Sequence, residues 1–191
     1  MAAEDFPDLL RAAQSGDEGA FEQLFRQTQP SLLKFLIVVA GADLADDIAA
    51  DTWVNVVRDL DRFTGEEIGA FRAWTLAIGR RRWVDELRRR GRRPELLTAD
   101  APELEVVDDV AGQVETAMST ERAIALVASL PPEQAEVLML RVIADLDVGQ
   151  TAEIVGKTPG AVRVLAHRGL RRLHANLHSD VTKSDPGAVD G

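Results

Sequence analysis

The sequence contains no cysteine and no tyrosine, and only 5% of its residues are aromatic. The lack of cysteine excludes a disulfide framework, a thiolate metal site and a cysteine nucleophile together. The three histidines, His167, His174 and His178, all fall in the last quarter of the chain, with no second ligand spaced for a histidine metal centre. No long apolar run is present either. The best, Leu32–Ala40, is interrupted by Lys34 and is far short of the ~20 residues that cross a bilayer. The first residues, MAAEDFPDLL, are acidic and lack the basic-then-apolar pattern of a secretory signal, so the expectation is a cytoplasmic chain without membrane insertion.

What is present is 191 residues, 46% hydrophobic and 28% charged, enough for one large or two small folded domains. The formal net charge is −10, which taken as a mean argues against nucleic acid. The charges, however, fall in blocks. Residues 1–61 are strongly acidic, whereas Arg80–Arg93 (RRRWVDELRRRGRR) holds eight arginines against Asp85 and Glu86. Pro94–Glu121 carries eight acids and no base, and Lys157–His174 carries five bases and no acid. Binding by counterion release depends on local basic surface, so two cationic segments in an acidic protein still suit DNA. A solvated helix face is the other ordinary fate of such runs.

Apolar residues recur at i+3 and i+4 throughout, and no stretch alternates with period two, so the chain reads as all-α. The pattern predicts helices over Asp8–Gln14, Asp17–Val39 with a kink at Pro30, Asp43–Leu60 with Asp43 as N-cap, and Ala70–Arg90, stopped by Gly91 and Pro94. Residues 94–113 are acidic, lack a clear apolar period and contain Pro94 and Pro102, as a flexible linker would. Helices over Val114–Leu130 and Pro132–Ile143 follow, the second with an Ala135, Leu138, Met139, Val142 stripe. The expected organisation is therefore two small helical bundles, 1–93 and 114–178, joined by an acidic linker and ending in a disordered tail, 179–191.

Residues 147–175 carry the most specific pattern. Asp147 and Gln150 occupy capping-box positions, Gly156 permits a turn, and Thr158-Pro159 restarts a helix as N-cap and N1. Helix, short glycine turn, helix is a DNA-reading geometry. On a helical wheel Val162, Leu165, Ala166, Gly169 and Leu173 fall inward. Arg163, Val164, His167, Arg168 and Arg171 fall opposite, with Val164 suited to a thymine methyl and the arginines to guanine edges or phosphates.

In the front half, Leu44, Ile48, Thr52, Val56 and Leu60 form an inward stripe, while Asp43, Asp46, Asp47 and Asp51 share the other side. Like charges on one face repel, and a basic protein partner would relieve that repulsion; acids near a helix N-terminus also suit its dipole. Paired carboxylates can serve catalysis or Mg²⁺, but the chain offers no phosphate cradle and no nucleophile, so no catalytic residue, metal or cofactor is expected. The Ala70–Arg90 segment has apolar residues on two sides and arginines at its end, with Trp74 expected in the core.

The stretches ADDIAADTWVNVVRDLDRF, FRAWTLAIGRRRWVDELRRR and LPPEQAEVLMLRVIADLDVGQTAEIVGKTPGAVRVLAHRGLRRL, in this order and separated by an acidic segment, resemble the extracytoplasmic-function class of bacterial RNA polymerase sigma factors, of the sigma-70 superfamily, with regions 2 and 4 only. The resemblance implies a protein that is not itself an enzyme, with core RNA polymerase (the β′ clamp helices and the β flap), promoter DNA and an anti-sigma factor as partners. By resemblance, Asp43, Asp46, Asp47 and Asp51 lie in the polymerase-docking segment. Arg62 and Thr64 fall in the loop that captures a flipped base, and Arg80, Arg81, Arg82, Arg88 and Arg89 face the −10 element. Thr158, Arg163, Val164, His167, Arg168 and Arg171 fall on the region that reads the −35 element. The chain differs from the family in having Arg81 where asparagine is frequent, Glu66 and Glu67 in the capture loop, and Val164-Leu165-Ala166 in the recognition helix. The competing readings are a stand-alone helix-turn-helix regulator and an acidic adaptor or inhibitor of the transcription machinery.

Overall fold

The computed structural model describes residues 5–91 and 120–183, the side chains of 120, 121 and 178–183 excepted. The expected linker, 94–113, the start of the helix expected from Val114, and residues 184–191 lie outside the described part. All regular structure among the described residues is helical: α1 (Phe6–Gln14), α2 (Glu18–Ala40), α3 (Ala42–Asp59), α4 (Ile68–Arg89), α5 (Thr120–Ala128), α6 (Pro132–Leu138), α7 (Val148–Val155) and α8 (Pro159–Lys183).

The front bundle is built from α1 to α4. The Asp17 side chain accepts from the Ala20 amide at 2.8 Å and starts α2. Its inner face, Leu24, Thr28, Leu32, Phe35 and Leu36, is buried, and α2 continues through Pro30 as one element. α3 starts earlier than the sequence suggests. Gly41, with φ of 88°, is its N-cap, and Asp43 lies in the first turn. Ile48, Thr52, Val56 and Leu60 bury the predicted stripe, and Leu44 is half-buried. Trp53 packs on Phe21 and Phe25, and its indole N–H donates to Gln29 Oε1 at 2.5 Å.

α4 is apolar on two sides because it packs on α2 and α3 and also touches α7. Phe71, Leu76, Ile78 and Trp83 are buried. Trp74 is half-buried rather than enclosed, with its ring 4.9 Å from Phe63 and 5.7 Å from Phe71. The Gln14 amide of α1 donates to the Leu60 and Phe63 carbonyls, both at 2.9 Å, and so pins the start of the loop between α3 and α4.

In the rear bundle α6 does not run regularly to Ile143. It passes into a π-helical turn over Met139–Ile143. The wider turn shifts the register, so Val142 leaves the predicted inward stripe and is 57% exposed, while Ala135, Leu138 and Met139 stay buried. α7 opens with a full capping box: the Gln150 amide donates to Asp147 Oδ1 at 2.8 Å, and the Asp147 amide donates to Gln150 Oε1 at 3.0 Å. Gly156 closes α7 in the left-handed region, φ 69°, where a side chain would be strained. Thr158 Oγ1 accepts from the Ala161 amide at 3.2 Å and starts α8. The α8 backbone stays helical to Lys183, past the point where a disordered tail was expected.

The fold is thus all-α with two helical units, but the units are packed together. α2 touches α5, α6 and the π turn, and α4 touches α7. One apolar cluster runs from Leu24, Phe35 and Phe71 in front to Val137, Met139, Leu140 and Leu146 behind. Val38 of α2 also packs on Leu130, Ala135 and Leu138.

Candidate nucleic-acid interface

The helix-turn-helix presents α8 with Arg163, Arg171 and Arg172 exposed and His167 and Arg168 half-exposed. None of the four arginines has an ion-pair partner among the described residues. Such cations suit duplex phosphates and guanine edges. Thr158 is exposed at the helix start. Val164 corrects the wheel: it is 2% exposed and therefore not available to a thymine methyl. α8 is touched by α5, α6 and α7, so a wider arc is covered than the apolar residues alone mark out.

The arginines of α4 divide into groups. Arg81 is exposed, with its Nε donating to the Ala77 carbonyl at 3.3 Å. Arg88 pairs with Asp85 at 3.1 Å and Arg89 with Glu86 at 3.1 Å, all on the same helix. Hydrogen bonding from Arg90, with the nearby charge of Arg89, holds the Glu86 carboxyl below its ordinary pKa. Arg82 is half-buried and donates to Asn55 Oδ1 at 2.7 Å; Asn55 in turn donates to the Asp51 carbonyl of α3. Arg62 and Thr64 are exposed in the loop before α4. Arg80 is different. Its Nε donates to Glu136 Oε1 of α6 at 2.5 Å, and its Nη2 reaches the Val155 carbonyl of α7 at 3.5 Å. It therefore points into the rear bundle.

Asp43, Asp46, Asp47 and Asp51 are all exposed on α3, and none forms an ion pair among the described residues. Val54 and Val57, 67% and 59% exposed, continue the same helix C-terminally. Asp47 and Asp51 line one side of a cleft of about 210 Å³, with Arg82, Arg89 and Arg90 on the other. Among the described residues no three carboxylate or imidazole groups cluster as metal ligands, and no helix is long and apolar enough to cross a membrane.

Two residues were missed by sequence reasoning. Glu136 is 1% exposed, and burial pushes its carboxyl above the ordinary range despite the opposing charge of Arg80. Its signal was an acid inside the apolar string AEVLML. Arg72, whose Nη1 donates to the Ala144 carbonyl at 3.2 Å, had no signal.

Two family descriptions match this chain: Sigma-70 region 2 over residues 24–93 and Sigma-70, region 4 over residues 120–173. The ECF RNA polymerase sigma factor BldN of Streptomyces coelicolor is 30% identical over 91% of this chain, which spans 66% of that protein. The ECF RNA polymerase sigma factor ShbA of Streptomyces griseus is 33% identical over 87% of this chain and 92% of its own length. Among solved structures, the sigma factor RpoE in complex with the anti-sigma factor NepR from Bartonella quintana aligns with a TM-score of 0.62 at 24% identity, covering 84% of this chain and 98% of that one.

Proposed function

Because the chain belongs to the ECF family of RNA polymerase sigma factors and is an alternative sigma factor that initiates transcription through core polymerase, we propose the roles of its individual residues. Region 2 spans 1–93 and region 4 spans 114–178. Asp43, Asp46, Asp47 and Asp51 dock on a basic surface of core polymerase. Arg62, Thr64, Arg81, Arg82, Arg88, Arg89 and, once uncovered, Arg80 hold the −10 region as it melts. Arg163, Arg168, Arg171 and His167 hold the −35 end. Capture of an unstacked base is favourable because unstacking costs only a few kcal/mol and the loop contacts offset it.

The observation that carries this reading is the exposure of two separate cationic surfaces and one acidic surface on a single all-α chain. The protein acts as a specificity subunit and not as an enzyme in its own right, and it works in the cytoplasm, where polymerase and chromosome meet. An anti-sigma factor is a further partner, a reading supported by the Bartonella sigma factor RpoE, which is itself in complex with the anti-sigma factor NepR. Run-off transcription with purified core enzyme on a genomic fragment library tests the proposal. Discrete transcripts that require this protein and map to a shared pair of upstream elements support it; transcripts independent of it refute it.

A further inference from the structure

α3 and α4 pack side by side, yet the charges that face each other across their cleft do not meet. Asp47 and Asp51 stand on one edge, and Arg82, Arg89 and Arg90 on the other. No ion pair crosses the cleft among the described residues. Arg82 donates to the neutral Asn55 Oδ1 at 2.7 Å. Glu86, on α4 itself, pairs with Arg90 at 2.5 Å and with Arg89 at 3.1 Å. Hydrogen bonding from Arg90, with Arg89 beside it, keeps the Glu86 carboxyl ionised.

The charge balance says what the cleft suits. Three acids, Asp47, Asp51 and Glu86, offset the three arginines. A polyanion gains from a local excess of cations, and here there is none. The α8 arginines are of the opposite kind, exposed and without ion-pair partners among the described residues. Opposite charges left unpaired on two edges attract a partner that carries both signs. Size agrees. The cleft holds about 210 Å³. A sphere of that volume is roughly 7 Å across, close to the about 5–6 Å between side chains one helical turn apart. Leu44 and Ile48 give it an apolar lining, against which the stems of long side chains can lie.

We propose that this cleft seats a helix of core polymerase carrying a basic and an acidic side chain one turn apart, the base going to Asp47 and Asp51 and the acid to Arg90. Polymerase is the occupant because the cleft continues the exposed face of Asp43 and Asp46 on the same helix. The inference rests on the docking role proposed above for α3 and adds Arg90 to it. Glu86 is the positioning residue: it holds Arg90 at the edge and keeps the cleft neutral.

A dye at Ser15→Cys, an exposed position in a chain with no other cysteine, lets anisotropy of the full-length protein report binding of core polymerase. Arg90→Glu should weaken that binding about tenfold and Arg90→Gln about threefold; the second carries the test if helix content shows the first to be unfolded. Arg90→Gln should leave unchanged the binding of the free protein to a short mixed-sequence single-stranded DNA, together with its salt slope. Glu86→Gln should weaken polymerase binding about threefold and steepen that slope by about one contact, because the cleft gains a net positive charge. A merely structural role for Glu86 would not steepen it. Undiminished polymerase affinity in a folded Arg90 variant overturns the proposal. So does a shallower slope in Arg90→Gln, which would assign Arg90 to DNA, or self-association abolished by Arg90→Glu, which would assign the cleft to a second copy of the chain. Asp47→Arg separates the two levels: if it lowers polymerase affinity and the Arg90 variants do not, the docking role of α3 stands and the two-signed cleft falls.

Discussion

Gly79 of α4 faces Leu32 of α2 so closely that a Cβ on Gly79 would lie 2.8 Å from Leu32 Cδ1. Leu32 is fully buried, so its side chain has little room to retreat. Alanine is about 1 kcal/mol better than glycine inside a helix, but overpacking costs about 1–3 kcal/mol. Gly79→Ala is therefore destabilising by about 1 kcal/mol net, read as a lower denaturant midpoint with an unchanged slope.

Asp47→Arg reverses one charge on the exposed α3 face. Stability should change by no more than about 0.5 kcal/mol, as for a surface substitution. Affinity for core polymerase, measured by fluorescence anisotropy, should fall at least about tenfold, while the affinity of the free protein for −35 DNA stays the same.

Val164 and Arg163 are neighbours in sequence with opposite fates. Arg163→Ala should weaken −35 DNA binding and lower its salt dependence by about one contact. Val164→Ala, at a buried position, should cost about 1–2 kcal/mol of stability and leave base preference unchanged. A shift in promoter preference from Val164→Ala would place that residue at the DNA after all.

Asp147→Ala removes one side of the capping box at the start of α7. Loss of an N-cap costs about 1 kcal/mol, visible as a lower melting temperature, and Asp147→Ser should restore most of it.

Glu136 makes the packing of α4 against α6 sensitive to pH. Burial raises its carboxyl above the ordinary 4.5, against the pull of Arg80 and Lys157 and with the push of Glu133. The folded protein therefore holds the proton more tightly than an unfolded chain with a hydrated carboxyl. That contribution to stability is complete below the ordinary value and is lost as pH rises through the raised one. Lowering the pH from 7 should raise the denaturant midpoint of the native protein relative to that of Glu136→Gln, which is neutral yet still able to accept from Arg80 and should lack this contribution to the pH dependence.

Local chemistry was legible in the sequence. The capping box at Asp147 and Gln150, the turn at Gly156, the cap at Thr158 and the stripe from Ile48 to Leu60 all depend on residues within a few positions of one another. What escaped was whatever depends on several elements at once. Val164 looks exposed on a lone wheel and is covered because α8 has three neighbours. Val142 follows the stripe only if the helix keeps an α register, and the π turn breaks it. Arg80 and Glu136 are 56 residues apart in sequence, and no periodicity in either helix announces their meeting.

Val38 on α2 seals Leu130, Ala135 and Leu138 on the opposite unit. Each unit therefore covers oily surface on the other. Either one produced alone should clump at concentrations where the whole chain stays single.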